Sequence, residues 1–270
     1  MSSIRFFNPG QTYKKDKELY LKEIDKVLSA GDLILRKDVE AFEMNLAAFL
    51  GVKYVVALNS ATDALYLALR ALKIGPGDEV LVPSRTFVAS VSIIVQVGAT
   101  PVFYDLDNKL KITDKTKVII PVHIEGNFGV DMEDLMLIAK EVDYIKGRNE
   151  IYVIEDAAQA LGATQDGKMA GSFGDVGCFS FYPAKILGAF GDAGALVTNN
   201  EEIYNWVKGA RNHFKEDARD WGVNSRMDNL QAAILNIRFK YLPEILKRRQ
   251  DIAEMYFKGL KELEKNGKIK

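Results

Sequence analysis

Short apolar runs alternate with longer amphipathic stretches over most of the chain. Seven such runs stand out, and several of them are short, continuous and rich in Val and Ile, which is typical of strands buried on both faces. They predict strands at residues 53–58, 79–82, 101–104, 118–122, 151–155, 177–181 and 195–198.

Stretches with helical periodicity lie before and between these strands. They predict helices at residues 16–30, 38–50, 62–72, 87–97, 132–142 and 201–210. Asp131 and Asp134 resemble a capping arrangement at the start of the fifth helix. Alternation of strands and helices predicts an α/β fold with a mainly parallel sheet, covered on both faces. Ligands in such sheets usually bind beyond the carboxyl ends of the strands.

The pattern changes in the last part of the chain. From about Ser225 it is helical, and Pro243 is expected to kink or divide the helix. The final residues, 261–270, are polar and rich in lysine. We interpret this part as the entry into a second, smaller domain.

Composition excludes several classes of function. Lys and Arg number 36 against 37 Asp and Glu, for a net charge of −1, so no field of one sign favours nucleic acid or an anionic membrane. The one cysteine, Cys178, precludes an intrachain disulfide and a cysteine-rich metal site. No signal-peptide core is apparent, and the apolar runs are far shorter than the roughly 20 residues that span a bilayer. We therefore expect a cytoplasmic protein without membrane partners.

Other sequence features favour structural interpretations. His123 and His213 lie far apart without metal-ligand spacing, so we predict no metal site. The basic residues 247–249 fall on a helical pattern and are expected to form a solvated face. The phosphate-binding patterns GxGxxG after the first strand and GxxxxGK[ST] are absent, which argues against other nucleotide-binding α/β classes.

Two segments carry candidate reactive groups. Residues 153–159 bring Glu155 and Asp156 to the end of a strand, where a carboxylate can cap a helix, bind a metal or pair with a ligand cation. Lys185 follows another strand among aromatic residues and glycines. Burial there would lower the pKa of the amine and make it a nucleophile. A loop lysine with a solvated ammonium group is equally compatible with this sequence.

Two further loops follow strands. Residues 57–65 end a strand in small polar residues and open a helix, where free backbone N–H groups bind phosphate. A simple N-cap explains the same pattern. Phe87 follows the next strand, and its ring either stacks on a planar cofactor or belongs to the core.

Together these segments resemble the DegT/StrS family of sugar aminotransferases, which depend on pyridoxal 5′-phosphate (PLP). The stretches that carry the resemblance include NSATDALYLALRAL, VIEDAAQALGA and GSFGDVGCFSFYPAKILGAFGDAGALVTN, and the match runs from about Gly31 to Arg249. The resemblance implies the fold type I PLP-transferase architecture, with a mixed, mainly parallel seven-stranded sheet. It divides the chain into an N-terminal arm and helix (1–30), a large PLP-binding domain (31–235) and the helical start of a small C-terminal domain (236–270).

The resemblance also implies roles for individual residues. Lys185 matches the lysine that forms a Schiff base with PLP and then moves the substrate proton. Asp156 matches the acid that pairs with the pyridine nitrogen. The remaining matches are Gln159 beside the phenolic oxygen, Phe87 stacked on the ring, Ala61, Thr62 and Ser180 at the phosphate, and Asn224, which reaches the phosphate of a neighbouring subunit. The match of Asn224 implies a homodimer with shared active sites.

The implied reaction is a ping-pong transfer of an amino group from L-glutamate to a nucleotide-linked keto-deoxysugar, dTDP- or UDP-linked, in amino sugar biosynthesis. Relatives with histidine at the position of Lys185 carry out dehydration, so lysine favours transamination. The loop of residues 123–129 departs from the family pattern, which leaves the sugar open. A non-catalytic regulator with the same fold, or a shortened inactive homologue, is the alternative.

Overall fold

A computed structural model describes residues 7–105, 110–146 and 151–268 of the chain. The ends of the predicted N-terminal arm and C-terminal segment, residues 1–6 and 269–270, lie outside these ranges. The helices are α1 Pro9–Lys15, α2 Lys17–Ala30, α3 Lys37–Leu50, α4 Ala61–Ala71, α5 Val88–Gln96, α6 Met132–Lys146, α7 Glu201–Ala210, α8 Asn229–Phe239 and α9 Leu242–Lys265. The strands are β1 Tyr54–Leu58, β2 Glu79–Pro83, β3 Thr100–Tyr104, β4 Thr116–Ile119, β5 Tyr152–Asp156, β6 Thr164–Gln165, β7 Lys168–Met169, β8 Val176–Ser180 and β9 Gly194–Thr198.

Seven of these strands form one mixed sheet in the order β1-β9-β8-β5-β4-β2-β3. The pairs β2/β3, β2/β4, β4/β5 and β5/β8 are parallel, and β9 runs antiparallel to both of its neighbours. The carboxyl ends of β1, β2, β5 and β8 therefore meet at one edge, together with the start of β9. The predicted seven-stranded, mainly parallel sheet is confirmed.

Each face of the sheet carries its own apolar core, because successive side chains of a strand point to opposite faces. On β5, Val153 packs into the core formed with α3, α6 and α8, and Ile154 packs into the core formed with α4, α5 and α7. On β1, Val55 and Val56 divide in the same way. Helices thus cover both faces, as expected.

Two local predictions at helix ends are confirmed. Oδ1 of Asp131 accepts hydrogen bonds from the backbone N–H groups of Glu133 and Asp134, which caps α6. Pro243 lies in the first turn of α9, directly after the break that separates this helix from α8. A proline is tolerated there because the first-turn N–H groups have no intrahelical acceptor.

The sequence pattern misses three short elements. These are α1, the two-stranded hairpin of β6 and β7, and a single 3-10 turn at Ile124–Gly126. Each is shorter than the stretch over which a period can be recognised, about 11 residues for a helix and about 4 for a strand. The 3-10 turn places the non-glycine residue Glu125 at φ 59°, a left-handed conformation that no periodicity signals.

The last helix, α9, packs against the core at its N-terminal end and is exposed in its C-terminal part. Leu242 is buried in the core and Leu246 packs against it, whereas Met255 and Phe257 are exposed. The division of the chain into domains stays a prediction. Within the described ranges, no helix is both long and apolar enough to cross a bilayer.

Candidate active site

A cavity of about 760 Å³ opens at the edge where the strand ends meet. That volume falls within the range of small-molecule sites. Its lining includes every residue that the family resemblance matched to a cofactor contact except Asn224, namely Ala61, Thr62, Phe87, Asp156, Gln159, Ser180 and Lys185. Side chains from four separate loops therefore face one hollow.

Asp156 is the last residue of β5 and is 5% exposed. Its Oδ2 accepts a hydrogen bond of 2.6 Å from the Ser90 hydroxyl, and its Oδ1 accepts one of 3.2 Å from the backbone N–H of Ala158. Burial raises the pKa of Asp156, while the Ser90 and Ala158 hydrogen bonds and the nearby His123 and Lys185 oppose the rise. A cation placed against this carboxylate would restore the charged form.

Glu155, the neighbouring carboxylate, does not face the cavity. Its Oε1 accepts from the backbone N–H groups of Phe173 and Gly174, and its Oε2 accepts from that of Gly171. His123 Nε2 lies 2.9 Å from Oε2, and both side chains are fully buried. Of the two acids that end the strand, one anchors a loop and the other is open to a ligand.

Lys185 lies on the loop that follows β8 and is partly buried. Burial lowers the pKa of its amine, and the charge of Asp156 opposes that effect. A larger share of neutral amine at a given pH makes Lys185 a better nucleophile toward an aldehyde than a solvated lysine. Lys185 and Asp156 line the same cavity, so the environment of this amine differs from that of a solvated surface lysine.

The turn between β1 and α4 forms an anion-binding end of the cavity. Ser60 caps α4 by accepting a 3.0 Å hydrogen bond from the backbone N–H of Asp63. The N–H groups of Ala61 and Thr62 belong to the first turn and have no intrahelical acceptor, so they are available to a phosphate. Gly194 packs directly behind this turn, where a Cβ would lie 2.2 Å from the carbonyl carbon of Ser60.

The remaining side chains frame the space between these ends. Phe87 is the N-cap of α5, and this residue, which is 64% exposed, lines the cavity. Oε1 of Gln159 accepts a 2.9 Å hydrogen bond from the backbone N–H of Glu125, and the amide NH₂ has no acceptor among the residues that the structure describes. Ser180 ends β8, and its hydroxyl accepts a 3.3 Å hydrogen bond from the backbone N–H of Tyr182.

Asn224 lies outside the cavity of its own chain. It is exposed and pairs with Asn212 in an isolated β-bridge. Arg226 Nη1 donates a 2.9 Å hydrogen bond to Oδ1 of the same Asn212. The structure therefore does not bring Asn224 together with the other predicted site residues of this chain.

The basic segment at 247–249 is only in part the solvated face that the pattern predicted. Lys247 pairs with Asp251 one turn along α9. Arg249 is exposed but borders the cavity, and it also borders a second hollow of about 960 Å³ behind Lys185. The helical periodicity did not predict that Arg249 borders the cavity, because tertiary packing alone brings α9 to the site.

Sequence reasoning missed Ser90, which holds the carboxylate of Asp156. The residue occurs in the apolar helix segment VASVSIIVQ and is fully buried. A serine in so apolar a helix could have indicated a functional contact, since a buried hydroxyl requires a hydrogen-bond partner. Which partner it finds depends on how α5 packs on the sheet.

Fold and cavity together define a protein of the α/β class with an amine, a carboxylate, an aromatic ring and an anion-binding turn around one hollow. The model of the DegT/DnrJ/EryC1/StrS aminotransferase family matches residues 14–270. The chain belongs to this family.

Similar proteins include enzymes and one named as a regulator. The chain is 43% identical to the UDP-N-acetyl-3-dehydro-alpha-D-glucosamine 3-aminotransferase of Acidithiobacillus ferrooxidans, over 89% of this chain and 66% of that protein. It is 36% identical to the pleiotropic regulatory protein of Geobacillus stearothermophilus, over 96% of this chain and 71% of that protein. The chain thus spans about two thirds of the length of these relatives.

A solved structure with the same fold contains a cofactor. The NtdA protein from Bacillus subtilis, described with bound cofactor PMP, superimposes with a TM-score of 0.86 at 34% identity. The superposition covers 99% of this chain and 62% of that one. At this identity and score the two chains share their fold throughout the described region.

Proposed function

We propose that this protein is a PLP-dependent aminotransferase that transfers an amino group from L-glutamate to a nucleotide-linked keto-deoxysugar. The observation that carries the proposal is the arrangement of Lys185 and Asp156 in one cavity whose other end is the N-terminus of α4. An amine, an acid and a phosphate site match the three functional ends of PLP.

The residues of the cavity fit PLP. The N–H groups of Ala61 and Thr62 would hold the phosphate together with the Ser180 hydroxyl, and the exposed ring of Phe87 would cover one face of the pyridine. Gln159 would donate its free NH₂ to the phenolic oxygen. Gly194 is needed behind the turn between β1 and α4, because a Cβ there would clash with the backbone of Ser60 and displace the turn.

When bound, PLP supplies the electron sink that makes the α-proton of an amino acid removable. Asp156 would hold the proton on the pyridine nitrogen, and this pairing offsets the burial that raises the pKa of its carboxyl. The Lys185 amine would carry the cofactor at rest and, once released, move the proton of the substrate carbon. Burial lowers its pKa, which suits a base near neutral pH.

The substrate is proposed from the relatives and from the space in the cavity. The Acidithiobacillus protein is named for a UDP-linked 3-keto amino sugar. We infer a dTDP- or UDP-linked keto sugar, in amino sugar biosynthesis in the cytoplasm. The cavity of about 760 Å³ has room for a sugar ring beside the cofactor.

The proposal is tested with the full chain loaded with PLP. We expect a visible absorption band, and borohydride reduction followed by mass spectrometry should locate the cofactor on residue 185. Addition of L-glutamate should release one equivalent of 2-oxoglutarate without any sugar. Lys185→Ala should abolish the covalent label and the release, whereas Lys168→Ala, on the exposed hairpin, should change neither. A protein that takes up no PLP would refute the proposal.

A non-catalytic regulator is the second candidate, favoured by the name of the Geobacillus relative. It predicts PLP binding without release of 2-oxoglutarate and without amination of any sugar. A panel of dTDP- and UDP-linked 3-keto and 4-keto sugars, analysed by mass spectrometry, separates the two candidates and identifies the sugar.

We also propose a homodimer with shared active sites. The support is Asn224, which is exposed and outside the cavity of its own chain, as a residue serving a neighbouring subunit would be. Mixing inactive Lys185→Ala and Asn224→Ala chains should then restore one intact site per mixed dimer. A monomer by ultracentrifugation, or no recovery of activity after mixing, would contradict this arrangement.

A further inference from the structure

The Asp156 carboxylate receives its only side-chain hydrogen bond within the described residues from Ser90. Ser90 is fully buried on α5, and its hydroxyl lies 2.6 Å from Oδ2 of Asp156. The two residues are 66 positions apart. A buried hydroxyl that donates to a buried acid restrains both the rotamer and the charge of that acid.

A second hydroxyl stands behind the first. Oγ1 of Thr86 lies 2.7 Å from Oγ of Ser90. A serine hydroxyl has one proton, and Ser90 donates it to Asp156, so Thr86 must be the donor in the Thr86–Ser90 contact. The chain of bonds runs in one direction, from Thr86 to Ser90 to Asp156, and successive bonds of this kind strengthen one another.

The same segment also supplies the aromatic ring of the site. Phe87 follows Thr86 directly and is the N-cap of α5, the helix that carries Ser90. One turn of chain therefore positions both the ring that faces the cavity and the acid at its end. A displacement of this turn would move the two groups together.

We propose that Ser90, supported by Thr86, is a positioning residue that holds Asp156 in the orientation and charge state needed to pair with the pyridine nitrogen of the cofactor. The inference rests on the proposed function, because it presupposes a ring nitrogen at Asp156. It assigns to the fifth helix a role in tuning the cofactor, through an acid on a strand of the sheet.

Removal of the hydroxyl should change the pH dependence of cofactor binding. The Ser90 hydrogen bond lowers the pKa of Asp156 against the effect of burial, so its loss raises that pKa further. The other titratable groups near Asp156 are Glu155, His123, Lys185 and Cys178. None of them is altered by a substitution at Ser90, so the acid limb of PLP binding should move to higher pH in Ser90→Ala.

The test compares PLP with its 1-deaza analogue, in which carbon replaces the ring nitrogen. Dissociation constants are measured by equilibrium dialysis for the wild type and for Ser90→Ala. If Ser90 acts through the contact between Asp156 and the nitrogen, the substitution should weaken PLP binding about tenfold and leave the analogue unchanged. Equal weakening of both compounds, or of neither, would overturn the inference.

Two variants separate positioning from general packing. Ser92→Ala removes a hydroxyl from the same helix that donates to the Ala89 carbonyl, and it should leave both dissociation constants unchanged. Thr86→Val removes the supporting donor without altering the buried Ser90, and it should shift PLP binding in the same direction by a smaller factor. Ser90→Thr keeps the hydroxyl and should restore the wild-type preference for PLP over the analogue.

The outcome also distinguishes this inference from the proposed function. Wild-type protein that binds PLP and releases 2-oxoglutarate from glutamate, with Ser90→Ala unchanged in both constants, would overturn the role of Ser90 alone. Wild-type protein that binds neither PLP nor the analogue would overturn both.

Discussion

Glu155 and Asp156 are adjacent on β5, yet their carboxylates serve opposite faces of the sheet. Glu155 accepts three backbone N–H groups from residues 171–174, on the side of the core that contains Val153. Asp156 bonds to Ser90 of α5, on the side that contains Ile154. Because side chains alternate along a strand, Glu155 holds a loop in place while Asp156 lines the cavity. Substitutions at the two positions should therefore have different effects.

Glu155→Gln should destabilise the fold. The amide has one acceptor oxygen, so its NH₂ would oppose a backbone N–H group that the carboxylate now satisfies. Leaving such buried donors unpaired should lower the free energy of unfolding by about 3 kcal/mol. Urea unfolding of the cofactor-free protein measures the change. Glu18→Gln, an exposed change on α2, should stay within about 0.5 kcal/mol of wild type, and a similar small effect at Glu155 would contradict the anchoring role.

Asp156→Asn should not destabilise the cofactor-free protein at neutral pH, and we expect it to stabilise it. Burial raises the pKa of the Asp156 carboxyl in the folded protein above its pKa in the unfolded chain. The stability that this carboxyl contributes is therefore present below its pKa in the unfolded chain, and it is lost as the pH rises through its pKa in the folded protein. The asparagine carries no charge and escapes this loss. Its oxygen can still accept from Ala158, and its NH₂ can donate to Ser90.

Unfolding curves at acidic and neutral pH check this prediction. The advantage of Asp156→Asn over wild type should grow from acidic to neutral pH, while PLP binding is weakened. Asp192→Asn, which removes an exposed carboxylate from the same cavity, serves as the matched control and should show no such trend. A pH-independent difference at Asp156 would show that burial does not perturb the carboxyl.

Gly194→Ala should close the anion-binding turn. The new Cβ would lie 2.2 Å from the Ser60 carbonyl carbon and 2.5 Å from the Ala61 nitrogen, so the start of α4 must shift. We expect a loss of about 3 kcal/mol in stability and a loss of PLP binding. Gly259→Ala on α9 meets nothing within 4 Å and should gain about 0.5–1 kcal/mol instead. Normal PLP affinity in Gly194→Ala would place the phosphate elsewhere.

Ser60→Ala should remove the cap of α4. The Asp63 N–H would lose its acceptor, which should cost about 1 kcal/mol of unfolding free energy. Ser60→Thr keeps the acceptor and should remain close to wild type. Thermal and urea unfolding of both variants distinguish a capping role from a role confined to the ligand, because the latter would leave the cofactor-free protein unchanged.

The sequence predicted the local elements well because their signals are local. Short apolar runs, several of them rich in Val and Ile, identified all seven strands of the main sheet, with ends that differ by a few residues. Pro243 marked the break before the last helix. Asp131 was identified as a cap because its acceptor serves N–H groups only two and three residues away. Residues within one period of each other determine such features.

The tertiary structure alone decided how distant groups meet. The sequence by itself determined that Glu155 and Asp156 end a strand and that a lysine follows another, but hydrophobic period does not specify strand order or the antiparallel direction of β9. Those depend on long-range packing of two cores on the two faces of the sheet. The same packing brings Ser90 to Asp156 and turns Glu155 away. Hydrogen bonds between residues far apart in the chain carry no local signature, and they set the chemistry of this site.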